Sequence, residues 1–237
     1  MGDIRHRMAV MAHRQPTAAD DPDFFPTPPW GARAGAELVR RLDPAARVVW
    51  ECASGAGHMA HGLRDYFPVV RLSDAYAYDG EARFDFLSDG PGPFEADWII
   101  TNPPFAPLEA FVRAAWPRAR RGVAMLMRAG ALESIGRYSL LYRDCPLTVF
   151  APFSERLPMH RARWEPDGST AAFYAWFLFC KPVLRPARFM ARIGGDFYPA
   201  TVPIPPGTEA RLTRPSDAAL FGVVDRSEKA GERRRPA

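Results

Sequence analysis

Apolar positions along the chain follow two alternating rhythms, short unbroken runs and stretches spaced three or four residues apart. The runs are Val48-Val49-Trp50, Val69 to Leu72, Trp98 to Thr101, Gly122 to Met127, Leu147 to Phe150 and Ala171 to Cys180, the mark of strands buried on both faces. Between them, Ala34, Leu38, Val39 and Leu42 share one face of a helix over residues 31–42. Leu108, Phe111, Val112 and Ala115 do the same on a helix that Pro107 opens and Pro117 ends. A shorter helix is expected from Gly57 through Leu63. Strands alternating with helices predict an α/β fold, a Rossmann-like, doubly wound, mostly parallel sheet of about seven strands with ligands at the strands' carboxyl ends.

The flanks read differently. Residues 1–23 are polar and without periodicity, as expected of a flexible leader. Phe24-Phe25-Pro26-Thr27-Pro28-Pro29-Trp30 is too rich in proline for a helix or a central strand and predicts a fixed aromatic loop. The main domain is expected over 24–182, and 183–237, rich in Pro and Arg, is an extension expected to be partly disordered. The longest apolar run, Ala171 to Cys180, is about half of the roughly 20 residues that a membrane span needs. Without a cleavable apolar leader either, a cytoplasmic location is expected.

Composition changes this picture little. With 237 residues, 47% of them hydrophobic, the chain can build one substantial core. The net charge of +4 is concentrated in residues 226–237, where five basic residues face Glu228 and Glu232. Such a tail is expected to be solvated, and can lend salt-sensitive affinity for nucleic acid. Cys52, Cys145 and Cys180 are odd in number and widely spaced, which excludes a disulfide framework and a zinc motif. No metal is expected.

Two loops carry candidate chemistry. Gly55-Ala56-Gly57 follows a buried strand and opens a helix, where missing side chains admit a ligand close to the backbone. With Ala60 the spacing also satisfies a dinucleotide fingerprint, so the loop alone does not distinguish a nicotinamide cofactor from S-adenosylmethionine. Glu51 ends the first strand and can receive an ammonium or a backbone donor. Asp74 ends the second, where a carboxylate can accept two ribose hydroxyls. Asp85 can accept an adenine amino group while Phe86 packs on the ring, or it can serve as a turn carboxylate.

The second loop, Asn102-Pro103-Pro104-Phe105, follows an apolar strand and so falls beside the first. An amino group conjugated to a ring is a poor nucleophile because its lone pair is delocalised. The Asn102 carboxamide oxygen and the Pro103 carbonyl can each accept one of its N–H bonds, favouring pyramidal nitrogen and aiming the lone pair. Pro104 stiffens the loop, and Phe105 offers a face for a planar ring.

These residues together resemble the class I amino-methyltransferases, in particular the DNA N6-adenine methyltransferases of phages and mobile elements. The likeness covers Phe24 to Cys180 and implies S-adenosylmethionine as cofactor, with 24–182 as the catalytic domain. It implies that Phe25, Thr27, Pro28 and Trp30 contact the cofactor's carboxylate end. Glu51, Ala53, Gly55 and Gly57 correspond to the first cofactor motif, Asp74 to the second, and Asp85 with Phe86 to the third. Asn102 to Phe105 corresponds to the catalytic loop, with Asn102 also touching the cofactor, and Tyr174-Ala175-Trp176-Phe177 is similar to the closing strands. The implied reaction is direct in-line methyl transfer to adenine N6 in nucleic acid, DNA first.

No recognition domain fits between Gly57 and Asn102, so target selection falls to residues 129–146, 154–170 or the tail. Adenine N6 in RNA, cytosine N4 and protein glutamine remain alternatives, as do a nicotinamide-dependent reductase and a non-catalytic nucleic-acid-binding or scaffold module. A base in a duplex has to be flipped out, and Arg113, Arg118, Arg120, Arg121 and Arg128 can hold its phosphates or simply solvate a helix end. Cys52 reads as an inert buried thiol. His58 and His61 lack metal-ligand company, His160 reads as a surface residue, and the aromatic run from Phe173 to Phe179 reads as core. The oligomeric state is left open.

Overall fold

The computed structural model describes residues 24–76, 78, 82–161, 163–165, 168, 170–184 and 190–222. The expected leader and the basic tail from Arg226 lie outside the described residues. Helix α1 (Pro29–Leu42) begins inside the proline-rich segment, because Pro29 at the first helical turn needs no N–H partner. Strand β1 (Val48–Glu51), helix α2 (His58–Leu63) and strand β2 (Val69–Asp74) form the first β-α-β unit. A two-residue strand β3 (Ala82–Arg83) precedes the apolar piece at Phe84 to Leu87. Then come β4 (Ala96–Thr101), α3 (Leu108–Arg118) and β5 (Ala119–Arg128). Pro117 does not end α3; it sits in the last turn, one residue before the helix gives way to β5.

After α4 (Ile135–Ser139) come β6 (Val149–Pro152) and β7 (Tyr174–Cys180). The sheet runs in the order β3-β2-β1-β4-β5-β7-β6-β9-β8, where β8 is Met190–Ile193 and β9 is Asp196–Thr201. Strands β3, β2, β1, β4 and β5 are parallel, and β7 runs antiparallel between β5 and β6. This is the mostly parallel, Rossmann-like sheet expected, with two additional strands. The boundary at residue 182 does not coincide with a sheet edge, since β9 pairs with β6 through Val149↔Ala200 and Phe150↔Thr201. So short a pairing leaves little hydrophobic signature to read.

Alternate residues of each central strand feed two cores. Val49, Trp98, Ile100, Ala124, Leu126, Trp176 and Leu178 face α1 and α2. Trp50, Ile99, Val123, Met125 and Phe177 face α3 and the segment that follows β5. Helix α1 sits close to the sheet because Gly35 leaves room for Trp176, whose ring atoms lie 2.3 Å from where a Cβ would stand. The Trp176 indole donates to the Gly31 carbonyl at 2.9 Å. At the end of α1, Asp43 accepts from Trp98 Nε1 (2.9 Å) and from Arg121 Nε and Nη2 (both 2.7 Å), tying helix to sheet.

Helices α5 (Thr208–Leu212) and α6 (Pro215–Phe221) pack back onto this layer. Arg33 of α1, 1% exposed, bonds both carboxylate oxygens of the fully buried Asp217 at 2.6 and 2.8 Å. Its remaining donors reach Asp65 (2.6 Å) and the Leu212 carbonyl (2.9 Å). Every guanidinium nitrogen thus has a partner, the condition under which a buried charge is tolerated. Burial alone would raise the Asp217 carboxyl; Arg33 more than offsets it and holds the group below the usual carboxylate value, as Arg121 does for Asp43. Among the described residues no helix is long and apolar enough to cross a membrane.

Asp217→Asn leaves a buried guanidinium facing a neutral group and is expected to cost about 3 kcal/mol or more in urea unfolding at pH 7. Because both carboxyls are lowered on folding, their contribution is complete above the unfolded value of 3.8 and is lost as pH falls through the folded values. Unfolding curves taken from pH 6 to pH 3 should therefore show a steeper loss for the wild type than for the variant.

Candidate functional site

The parallel pairing of β1 with β4, Val49↔Trp98 and Trp50↔Ile99, brings the loops after Glu51 and Thr101 together at one edge of the sheet. Across that edge runs a cleft of about 270 Å³. Of the residues singled out from the sequence, it is lined by Phe25, Thr27, Glu51, Ala53, Gly55, Asp74, Asp85, Phe86, Asn102 and Pro104. Trp30, Pro28, Gly57, Pro103 and Phe105 lie outside this lining. Trp30 is fully buried, because α1 has already begun there and turns the indole edge-on to Phe153 with ring centroids 5.5 Å apart. Pro28 caps the same helix.

The glycine loop is braced by Asp74, whose two oxygens accept from the backbone N–H of Gly55 (2.8 Å) and Tyr76 (2.9 Å). The carboxylate expected to meet a ribose therefore also fixes the turn. Gly55 has φ +49°, and a Cβ there would meet the Phe24 ring at 2.7 Å, so the turn admits only glycine without strain. At Gly57, with φ +82°, the space beside the backbone is open. Glu51, 1% exposed, accepts from Thr101 Oγ1 (2.5 Å) and Ala53 N–H (3.2 Å), a direct link between the two loops. Asp85 accepts the Leu87 N–H at 2.9 Å and shapes a turn, while Phe86 stacks on Phe111 and meets Trp50 edge-on.

Within the second loop the Asn102 amide is oriented by its neighbours. Its Nδ2 donates to the Phe25 carbonyl at 3.0 Å, which turns Oδ1 away from that acceptor. This Oδ1 is buried and has no hydrogen-bond partner among the described residues. Thr27 Oγ1, Ser54 Oγ and His58 Nδ1, all from cleft-lining residues, share that condition. Each such group is worth about 1–3 kcal/mol if left unsatisfied, so four around one cleft fit a polar ligand better than an empty apolar groove.

Ser54 and His58 stand at the two ends of the glycine loop, a position their sequence neighbours disclose and their residue types do not. Burial drives the His58 imidazole down to about 4, so it is neutral near pH 7 and offers one lone pair and one N–H. It is packed between Phe24 and Phe221, with ring centroids 6.0 and 4.3 Å away. Phe221 of α6 thus covers the cleft wall, a contribution from beyond the domain boundary expected at residue 182. Among the described residues, no group of three His, Cys, Asp or Glu side chains could hold a metal ion.

The five arginines considered for phosphates mostly have protein partners. Arg118 donates to the Phe86, Ser88 and Gly90 carbonyls at 2.5, 2.7 and 2.8 Å and so clamps that loop. Arg121 pairs with Asp43, Arg113 with Asp144, and Arg120 with Glu95 and Asp97. Arg128 alone of the five reaches the second loop, its guanidinium 4.4 Å from the centroid of the Phe105 ring.

Cys52 is buried beside Glu51; desolvation, with the Glu51 charge next, pushes its thiol well above the ordinary value. A thiol so raised is neutral and a poor nucleophile. A maleimide or disulfide reagent at pH 8 is expected to leave Cys52 unmodified in the folded protein and to label it within minutes in denaturant, read by mass spectrometry of the Cys52 peptide.

No protein-family model matches the chain, and no curated protein matches it. Solved structures do. One is the methyltransferase subunit of a type I restriction-modification system from Streptococcus thermophilus, with TM-score 0.53 and 11% identity, covering 82% of this chain and 53% of that one. Another is a candidate RNA methyltransferase from Pyrococcus horikoshii, with TM-score 0.51 and 15% identity, covering 75% of this chain and 98% of that one. The chain therefore spans about half the length of the type I subunit. At these identities the likeness is one of architecture, and the chain has the class I methyltransferase fold.

Proposed function

We propose that this protein transfers a methyl group from S-adenosylmethionine to an exocyclic amino nitrogen, with adenine N6 in DNA as the target. The observation that carries the reading is the Asn102 carboxamide oxygen, buried, without a partner among the described residues and held in orientation by the Phe25 carbonyl beside the cleft. When bound, S-adenosylmethionine would supply a methyl group on a positively charged sulfur: the nitrogen lone pair would form the new N–C bond as the C–S bond breaks, the sulfur would leave as a neutral thioether, and the excess proton on the nitrogen would pass to water. The cofactor's amino-acid end is assigned to Thr27, Ser54 and His58, whose buried, unpaired polar atoms suit charged groups. Asp74 and Asp85 take its ribose and base, and Phe86 packs beside them.

Against that site, Asn102 Oδ1 accepts one N–H of the target amino group and the Pro103 carbonyl accepts the other. The two bonds pull the nitrogen out of conjugation and point its lone pair at the methyl donor. No side chain needs to change its covalent state, which agrees with the neutral, buried thiol of Cys52. Nucleic acid as the substrate accords with the two solved structures named above, one a restriction-modification subunit and the other described as an RNA methyltransferase.

The test is transfer from labelled S-adenosylmethionine to unmethylated genomic DNA, with RNA and protein extracts in parallel and mass spectrometry of the digests. N6-methyladenine from the DNA pool is expected; label confined to RNA or protein would move the substrate, and no label in any pool would end the enzymatic reading. Asn102→Ala should lower kcat by about 10²-fold or more, the scale found when one positioned hydrogen-bonding group is removed, with cofactor affinity by calorimetry within about threefold. Asp74→Ala should weaken cofactor binding first. Equal loss of cofactor affinity in both variants would contradict this division of roles.

A further inference from the structure

Phe105 is flanked by an aromatic ring and by an arginine. The ring meets Phe25 at a centroid distance of 4.9 Å, tilted by 58°, and is packed against the core. The Arg128 guanidinium carbon stands over the ring, 4.4 Å from its centroid. The alternation of the sheet puts these groups together. Trp98 and Ile100 of β4 and Ala124 and Leu126 of β5 all face the same core, and two residues further along each strand bring Asn102 and Arg128 to that side. Phe25 joins the pieces, since its carbonyl holds the Asn102 amide and its ring packs on Phe105.

Arg128 differs from the other arginines near the sheet's rim. It is exposed, it follows the last buried residue of β5, and its register partner across the sheet is Tyr174, whose hydroxyl its side chain bonds. Exposed and outside the core, it can move off Phe105 by the thickness of a ring through rotation about its own side-chain bonds, giving up its contact with the Tyr174 hydroxyl. A guanidinium is a plane that stacks on aromatic faces as well as a charge, and at 4.4 Å from the centroid it is close enough to Phe105 to act as one.

Building on the proposed amino-methyltransferase activity, we infer that Arg128 is a positioning residue that forms the outer jaw of the substrate seat, so that the target adenine enters between the Phe105 ring and the Arg128 guanidinium. Before substrate arrives, the guanidinium shields the Phe105 face from water. Once the base is between them, stacking on both sides fixes its plane and leaves its amino edge directed at Asn102. A planar partner at 128 is therefore required, whereas a point charge is not enough.

The test uses the full chain carrying Arg128→Ala, Arg128→Lys or Arg128→Phe. Methyl transfer to genomic DNA is followed for each, together with binding of a fluorescently labelled, adenine-containing single-stranded DNA oligonucleotide by anisotropy. Arg128→Ala and Arg128→Lys are both expected to raise KM and the oligonucleotide Kd about tenfold with kcat within about twofold. Arg128→Phe, which restores a plane without charge, should stay within about threefold of the wild type in both. Rescue by Lys and failure of Phe would assign Arg128 to a phosphate, and the slope of log Kd against log salt would then fall by about one on its removal; either result overturns the jaw. Indifference of KM and Kd to all three variants overturns it as well. The binding arm does not depend on turnover. A wild type that transfers no methyl group, with the Ala, Lys and Phe binding pattern intact, would refute the enzymatic reading and keep the seat, while an active wild type with the pattern absent would do the reverse.

Discussion

Everything at the candidate site hangs on the parallel pairing of β1 with β4. Parallel strands deliver the ends of both to the same edge, and their register sets Glu51 within 2.5 Å of Thr101. That one buried hydrogen bond fastens the glycine loop to the strand end that carries Asn102. The hydrophobic runs of Val48 to Trp50 and Trp98 to Ile100 supply the driving force for the pairing, and the short polar contact gives it an unambiguous register. A one-residue slip would carry every side chain to the other face, and it would also part this carboxylate from its hydroxyl partner.

How far the sequence disclosed this depends on whether a residue's role is local. The Gly55 turn, the Asp74 carboxylate and the Asn102 loop were all legible because strand, glycine spacing and strand-end residues sit within a few positions of one another, and they line one cleft. The central sheet order follows from the same local units. The roles of Arg33, His58 and Arg128 were not legible, because each depends on partners remote in the chain: Asp217, Phe221 and Phe105. Nothing in the residues around Arg33 distinguishes it from a solvated helix arginine. Trp30 and Pro28, read from sequence as part of a loop, stand at the start of α1 and outside the cleft lining, because a proline at a helix start looks, in sequence, like a proline in a loop.

The arginines divide along the same physical line. Four of the five considered for phosphates spend their donors on carboxylates and carbonyls, and so act as cross-links within the fold. Charge counted along the chain therefore overstates what is available to a polyanion. The polar atoms at the cleft without a partner among the described residues are uncharged, an amide oxygen, two hydroxyls and a neutral imidazole, and they stand beside the carboxylates of Glu51, Asp74 and Asp85. Their arrangement, more than any local surplus of positive charge, sets what the cleft can recognise.

The covering of His58 by Phe221 bears on how the molecule comes into being. The cleft wall joins Phe24, near the first described residue, to Phe221, near the last, and the Arg33–Asp217 pair holds the second of these in place. A chain emerging from a ribosome can complete the five parallel strands long before that pair can form. Until then Arg33 lacks its buried carboxylate and one side of the glycine loop stays open to water. Helix α6 acts as a keystone, and the cleft reaches its finished shape only after Phe24 and Phe221 have met around His58.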